Sequence, residues 1–589
     1  MTFKELANYL QQLEATSSRL KITEILANLF KETKAEETAK IVYLVSGRLL
    51  PAYEGLEFQM AEKMMIRAVA QAVGYSPDEI EKQYKQAGDL GTVAENFKEK
   101  GGGYKLQGGL FEADKKKPED LAINEVYKKL MEIAQEAGEG SVERKIDKMA
   151  VLIEDLDSLS CRFIVRIPLG KLRLGFSELT IIDALSWMEE GNKSLRQEIE
   201  AAFNVLADIG KIAQIIKKEG VAGLKTIQVE VGTPVVSALA QRLGTVEEML
   251  EKMGEVAVEP KYDGTRLQLH YQRNKDGEMV RIFTRNLENV THMFPDIAEA
   301  LKKEIRAESV ILDSEGVGVD PDTGKYLPFQ ETMKRKRKHE IKETVKSIPL
   351  KAFVFDILYK DGKSLIPKPL SERRKVLEKT LPTKPNIIVL SPQIVTKDPG
   401  IMRHYHDEQI KADLEGAMVK KVSSPYTPGR RDYTWVKFKQ EETKKGGGLA
   451  DTVEAVIMGV TRGRGKRAEF GVGTFLVGIR KGEKYVTVTS IGTGLSDEQF
   501  RELNGRTEKL KVKEKPADYV VHKNDIPDDW IEPKIVVEIQ ADNITQSPTH
   551  TAGLAMRFPR LIRFRDDKRP DQVTTLEELE HLYELQFGK

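Results

Sequence analysis

At 589 residues the chain is too long for one hydrophobic core, and three or four domains are expected. With 40% hydrophobic and 31% charged residues it reads as soluble and globular; its 93 basic and 92 acidic residues nearly cancel, so any footprint for a polyanion has to be local. The single cysteine, Cys161, excludes an internal disulfide and a four-cysteine zinc site and fits a reducing cytosol, and no apolar run reaches membrane-spanning length.

Residues 1–228 read as almost wholly helical. Met1-Thr2-Phe3-Lys4-Glu5 starts an amphipathic helix rather than a secretory signal: Thr2 and Glu5 form a capping box, and Leu6, Leu10 and Leu13 recur at helical spacing. Ser76-Pro77-Asp78-Glu79 is a stronger start signal, with Ser as N-cap, Pro at N1 and Glu at N3. Gly101-Gly102-Gly103 breaks the pattern and opens a loop that runs to Pro118. Further helices are expected over 142–156, 180–188 and 195–217. Between them lies Gly170-Lys171-Leu172-Arg173-Leu174-Gly175. Its backbone amides, Lys171 and Arg173 either grip nucleic-acid phosphates or belong to a plain helix connection, and spacing leaves the two readings level.

Over 229–441 the texture changes to strands with interspersed helices. Val256 and Val258 lead into Glu259-Pro260-Lys261-Tyr262-Asp263-Gly264-Thr265-Arg266, and period-two alternation resumes through Tyr271. This reads as a tight Asp-Gly turn between two strands, with Lys261 at its mouth. Cationic neighbours or partial burial would lower the pKa of such a lysine, and only the neutral amine is a nucleophile. Alone, the match reads better as a surface lysine beside a hairpin turn. More strands are expected over 280–284, 310–312, 352–355, 387–390 and 417–422. The basic run Lys334-Arg335-Lys336-Arg337-Lys338 reads as a solvated helix face before it reads as a phosphate-tracking patch. A charged stretch and Gly446-Gly447-Gly448 form the clearest linker. Beyond it, short strands over 453–460, 474–479, 485–491 and 535–539, an inserted helix capped by Ser496, and a last helix over 575–586 suit a small barrel.

Five further stretches follow the lysine turn in order: Thr284-Arg285-Asn286, Asp313-Ser314-Glu315-Gly316, Phe355-Asp356, Glu415-Gly416-Ala417-Met418-Val419-Lys420 and Trp435-Val436-Lys437-Phe438-Lys439. Each alone reads as a strand end with exposed charge. Together they offer an amine nucleophile, an aromatic plate for a base, a carboxylate for a ribose hydroxyl, cations for phosphate oxygens and a carboxylate for a divalent metal.

With those stretches in place, the sequence resembles the ATP-dependent DNA ligases of the covalent nucleotidyltransferase superfamily, archaeal type. The resemblance spans nearly the whole chain and extends to Gly463-Arg464-Gly465-Lys466-Arg467, Gly492-Thr493-Gly494, Trp530-Ile531-Glu532-Pro533, and Arg557-Phe558-Pro559-Arg560 through Arg565-Asp566-Asp567-Lys568. It implies a multidomain α+β chain in three parts. These are an all-helical DNA-binding domain (1–228), a mixed α/β, ATP-grasp-like nucleotidyltransferase domain (229–441), and a C-terminal OB-fold β-barrel with a terminal helix (446–589). By motif, it implies that Lys261 forms the phosphoramide to AMP, Glu259 contacts the adenine edge, and Arg266 and Arg285 hold ribose and phosphate groups. Glu315 would accept from the ribose hydroxyl and, with Glu415, place a metal ion. Phe355 would stack on the base, and Arg431, Lys437 and Lys439 would meet the α-phosphate. Arg565 and Lys568 would orient the leaving pyrophosphate when the barrel closes over the site. Relatives often carry Pro-x-x-Pro-Met-Leu-Ala where this chain has Pro234-Val235-Val236-Ser237-Ala238-Leu239-Ala240, a departure at that edge of the domain.

The implied reaction transfers AMP from ATP to Lys261 with Mg2+ (Mn2+ substituting), then to a DNA 5′-phosphate, before the 3′-hydroxyl seals the nick. The implied setting is DNA replication, repair, recombination and cell division, with a monomeric cytoplasmic enzyme acting on nicked duplex DNA. An mRNA capping guanylyltransferase, an RNA ligase, an NAD-dependent ligase and a DNA clamp without chemistry are the rivals. The long helical region, the single cysteine and the full residue set argue against the first, third and fourth; nicked RNA against nicked DNA separates the second. Gln107-Gly108-Gly109-Leu110-Phe111 resembles the Gln-x-x-Leu-Phe peptides that dock on sliding clamps, although Leu110 and Phe111 read equally well as packing on their own domain.

Overall fold

The computed structural model describes residues 1–16, 18–100, 120–172, 174, 176–243, 245–274, 277–320, 323–327, 331–332, 345, 347–412, 414–439, 452–463, 470–541 and 543–585. The Gln107–Phe111 peptide, Arg173, the basic run 334–338 and the linker around Gly446 lie outside them. Two compact units result, Met1–Phe438 and Lys439–Lys589.

The first unit begins with helices. Helix Phe3–Glu14 forms because the Glu5 amide donates to the Thr2 hydroxyl while the Thr2 amide donates to the Glu5 carboxylate, and Phe3, Leu6, Ala7, Leu10 and Leu13 bury one face. Helix Pro77–Ala87 starts on Ser76, whose side chain accepts from the Glu79 amide, and stops at left-handed Gly88. Ser141–Asp155 and Glu178–Glu190 fall where expected. The helix expected over 195–217 is two helices, Arg196–Val205 and Ile209–Glu219. Leu206 is extended (φ −130°), and Asp208 caps the second helix by accepting from the Lys211 amide at 2.9 Å. The break exposes backbone for docking: the Val236 amide donates to Asn204 O at 2.8 Å, and the Ala207 amide to Pro234 O at 3.3 Å.

The rest of this unit carries strands β1 (Leu239–Arg242), β2 (Val256–Pro260), β3 (Thr265–Asn274), β4 (Gly277–Thr284), β5 (Ser309–Gly318), β6 (Leu350–Lys360), β7 (Lys363–Ser364), β8 (Ile388–Leu390), β9 (Ile394–Thr396), β10 (Gly416–Lys421) and β11 (Arg431–Lys439). One sheet has the order β1-β11-β10-β2-β9; a second has β4-β3-β5-β6-β7, with β8 beside β6. The Asp-Gly turn is therefore not a hairpin. β2 pairs with β10 and β9, and β3 with β4 and β5, so residues 261–264 cross from one sheet to the other. Gly264 serves this crossing through lack of bulk: a Cβ there would sit 2.5 Å from Gly316 O and 2.9 Å from Glu315 Cγ.

The second unit holds β12 (Val453–Arg462), β13 (Val472–Lys481), β14 (Lys484–Ile491), β15 (Lys511–Val512), β16 (Tyr519–Val520), β17 (Asp529–Ile531), β18 (Val536–Gln540), β19 (Asn543–Gln546), β20 (Leu554–Arg557) and β21 (Arg560–Phe564). β12 joins β13 along one edge and β17 and β18 along the other, and β18 continues to β21. Helix Asp497–Glu508 is held by a Ser496–Gln499 capping box, and helix Leu576–Leu585 contributes Leu576 and Leu579 to the unit's core.

Candidate active site

Strand alternation decides which side chains meet between the two sheets of the first unit. On β2, Val256 and Val258 enter the core on one face of their sheet, leaving Glu259 for the other, opposite Met418 on β10. On β3, β5 and β6, Leu267, Leu312 and Val354 enter a separate core. The opposite face then carries a cross-strand row of Arg266, Glu315 and Phe353. Val235, Ala238, Ile311, Leu358, Tyr426 and Trp435 pack between the sheets, with Phe355 and Met418 against them.

Lys261 sits where the chain leaves β2. Its amide donates to Gly416 O at 3.0 Å, its carbonyl accepts from the Glu415 amide at 3.2 Å, and its ammonium pairs with the Glu415 carboxylate. The lysine side chain is only 15% exposed. Its ion-pair partner is a carboxylate and not a cation, because the β2–β10 register puts Glu415 beside the end of β2. Glu315 lies on the same face: burial pushes its carboxyl up to about 8, opposed by Arg266 and Lys261 and reinforced by Asp313 and Asp263.

Glu259 is 2% exposed and takes a 2.7 Å bond from Lys420 through Oε2. Its Oε1 is buried and has no hydrogen-bond partner among the described residues. Lys420 in turn lies 4.3 Å from the ring centroids of both Phe355 and Trp435. Arg266 grips Asp313 with two bonds of 3.0 and 2.6 Å and donates to Ala238 O at 2.8 Å. Tyr426 closes the network, donating to Asp313 at 2.7 Å and accepting from the Ala238 amide at 3.0 Å. At the departure over 234–240, Val235 and Ala238 join this network through backbone atoms while their side chains are buried. Tyr262 stacks on Phe353 at 4.3 Å, with Tyr326 edge-on. Asp356, next to Phe355, is instead fully buried in a two-bond pair with Arg373.

Arg285 is exposed just beyond β4. Lys437 is half-buried on β11, opposite Arg242; Arg431 and Lys439 begin and end that strand, and their side chains lie outside the description. Lys171 pairs with Glu62 and contacts the Tyr84 hydroxyl at 3.4 Å, between exposed Gly170 and buried Leu172. Arg565 and Lys568 belong to the second unit, where both meet Glu454. Among the described residues no group of three or more His, Cys, Asp or Glu side chains is placed to hold a metal, and no helix is long and apolar enough to cross a membrane.

Family models match three stretches: "DNA ligase N terminus" over 2–186, "ATP dependent DNA ligase domain" over 237–439 and "ATP dependent DNA ligase C terminal region" over 468–568. A "Probable DNA ligase" of Dictyoglomus turgidum is 42% identical over 593 residues, covering 99% of this chain and 97% of the relative. The chain belongs to the ATP-dependent DNA ligases of archaeal type. A relative named "DNA ligase 2" from Thermofilum pendens is 38% identical, covering 100% of this chain and 98% of its own. The solved structure named "Pmar-Lig_Pre" shares the fold, with a TM-score of 0.52 at 16% identity over 95% of this chain and 99% of that one. A lysyl-AMP mechanism is typical of this ligase family.

Sequence reasoning missed Asp313, Lys420 and Tyr426 as parts of the site. Alternation held the signal for two of them: Asp313 precedes Glu315 by two, and Lys420 follows Met418 by two, so each shares the inward face. Tyr426 had no such signal, since it acts from a loop 113 residues from Asp313.

Proposed function

We propose that this ligase seals 5′-phosphate/3′-hydroxyl nicks in duplex DNA through adenylation of Lys261. The observation that carries the reading is the placement of Lys261 at the crossing between two sheets, against Glu415 and within electrostatic reach of Glu315, with the orphaned Glu259 Oε1 buried two residues earlier in the chain. Uncharged, the Lys261 amine attacks the α-phosphorus of ATP. An N–P bond forms, the bond to the pyrophosphate oxygen breaks, and the amine gives up a proton. Glu259 Oε1 takes the adenine amino group, Glu315 the ribose hydroxyl, and Phe355 the base face; Arg266, Arg285, Arg431, Lys437 and Lys439 take ribose and phosphate oxygens. Arg565 and Lys568 act on the departing pyrophosphate. The adenylate then passes to the 5′-phosphate, and the 3′-hydroxyl displaces AMP. Fixed cations matter because charge spreads over phosphate oxygens in each transition state.

Glu415, and Glu315 once its carboxyl is ionised, would hold Mg2+, with Mn2+ as substitute. A site with few carboxylates and no three-residue cluster among the described residues fits a hard ion that completes its shell with water and substrate phosphates. Such an ion supplies charge neutralisation at those oxygens.

The division into 1–228, 229–441 and 446–589, the ATP-grasp-like and OB-fold assignments, a cytoplasmic setting and a monomeric state are part of the same proposal. Lys171 and Arg173 would meet DNA phosphates, and Gln107, Leu110 and Phe111 a sliding clamp; Phe111→Ala is expected to lose clamp capture in a pull-down, and unchanged capture ends that assignment. The central test is Lys261→Ala. It should form no adduct with α-labelled ATP yet bind nicked DNA like the native chain; a labelled mutant overturns the nucleophile assignment.

A further inference from the structure

In the second unit, one carboxylate collects both cations assigned to the pyrophosphate. Glu454 is the second residue of β12. Its Oε1 accepts from Arg565 Nη1, and its Oε2 accepts from Lys568 Nζ at 2.6 Å. Its backbone is fixed as well: its amide donates to the Thr574 hydroxyl and its carbonyl accepts from the Thr574 amide, both at 3.0 Å. The cations are not equally supported. Arg565 is also held by Asp567 through bonds of 2.8 and 2.7 Å, and its amide donates to Val536 O. Lys568 is tied to the same segment by its amide, which donates to Arg565 O at 3.1 Å. Its ammonium is a point charge on a flexible four-carbon stem, so direction has to come from a partner. The Glu454 side chain is 19% exposed, Arg565 12% and Lys568 29%, so the trio is sheltered but within reach of a ligand.

We infer that Glu454 is a positioning residue for the pyrophosphate end of the reaction, joining Arg565 and Lys568 into one preorganised cationic unit. This rests on the reading of Arg565 and Lys568 given above. Glu454 acts through Lys568, by removing the rotamer freedom that the lysine would otherwise lose in the transition state. The effect therefore belongs to the step in which the bond between the α-phosphorus and pyrophosphate breaks, and equally to its reversal. It is absent from the later steps, in which pyrophosphate has no part.

The experiment uses the full chain as native protein, Glu454→Gln, Glu454→Asp and Lys568→Ala. Four readouts are compared: the rate of Lys261 adenylation by ATP, the rate at which pyrophosphate discharges the adenylated protein back to ATP, sealing of nicked DNA by pre-adenylated protein, and the thermal midpoint. Glu454→Gln should slow adenylation and its reversal together by roughly ten- to a hundredfold. Sealing and the midpoint should stay at native values, and Glu454→Asp, which keeps the charge, should retain more of the rate than Glu454→Gln. Native adenylation in Glu454→Gln beside a slow Lys568→Ala overturns the inference and leaves the assignment of Lys568 standing. Native adenylation in both overturns that assignment, and the inference with it. A loss spread over sealing, or a lowered midpoint, marks Glu454 as merely structural and also overturns the inference.

Discussion

Glu315 carries a titration that links the site to stability. Its native carboxyl titrates near 8 against 4.5 for a free glutamate, chiefly because burial disfavours the anion. Between those values the native chain keeps a proton that the unfolded chain has released, so raising the pH favours unfolding. The contribution is complete below 4.5 and is lost as the pH passes through about 8. Glu315→Gln cannot titrate, so the fall in stability between pH 5 and pH 8, followed by denaturant unfolding, should be smaller than in the native chain; an equal fall contradicts the burial argument. At this scale the sequence disclosed residue types in order and concealed their pairings. Lys261, Glu315 and Phe355 could be singled out only as members of an ordered set, since each stretch alone reads as an ordinary turn or strand end. The partners that hold such groups come from far along the chain: Lys420 reaches Glu259 across 161 positions, and Tyr426 reaches Asp313 across 113.

Between β2 and β3 the decisive feature is a connection that changes sheets. Gly264→Ala would put a methyl group 2.5 Å from Gly316 O, so either the crossing or β5 has to move. Overpacking of this kind costs about 1–3 kcal/mol, and the displaced groups would be Lys261 and Glu315 themselves. Gly264→Ala is expected to adenylate far more slowly than the native chain while remaining folded; a native adenylation rate shows that the crossing tolerates bulk. The hairpin expected here was a fair reading of local signals, since Asp-Gly between two alternating runs is what hairpins look like. Whether two strands pair with each other or with strands elsewhere in the chain is set by burial of both sheet faces, which a short window does not contain. The split of the expected 195–217 helix follows the same logic. Asp208 is a good N-cap by type, but it also receives the hydroxyls of Tyr43 and Tyr53 at 2.6 and 3.2 Å, and those contacts arise only once the helices pack.

For the whole molecule, near-zero net charge combined with a polyanionic substrate predicts binding through local basic surface rather than bulk attraction. Affinity for a nicked duplex should then fall roughly a hundredfold or more between 50 and 200 mM salt, and scrambling the duplex sequence should leave it unchanged. Salt-independent or sequence-dependent binding contradicts that picture. Helical and sheet-rich regions were readable from periodicity alone, and the family from the ordered motifs, because both are properties of segments. The boundary between the two compact units falls beside the linker read from the charged stretch and Gly446-Gly447-Gly448, whereas the union of the helical region with the sheets in one unit was not readable, since it depends on packing contacts such as Val236 with Asn204. All of this converges on one amine. The most direct test is intact-mass analysis with peptide mapping after incubation with ATP and Mg2+: the account predicts a gain of one adenylate, located on Lys261, and no gain, or a gain on another side chain, contradicts it.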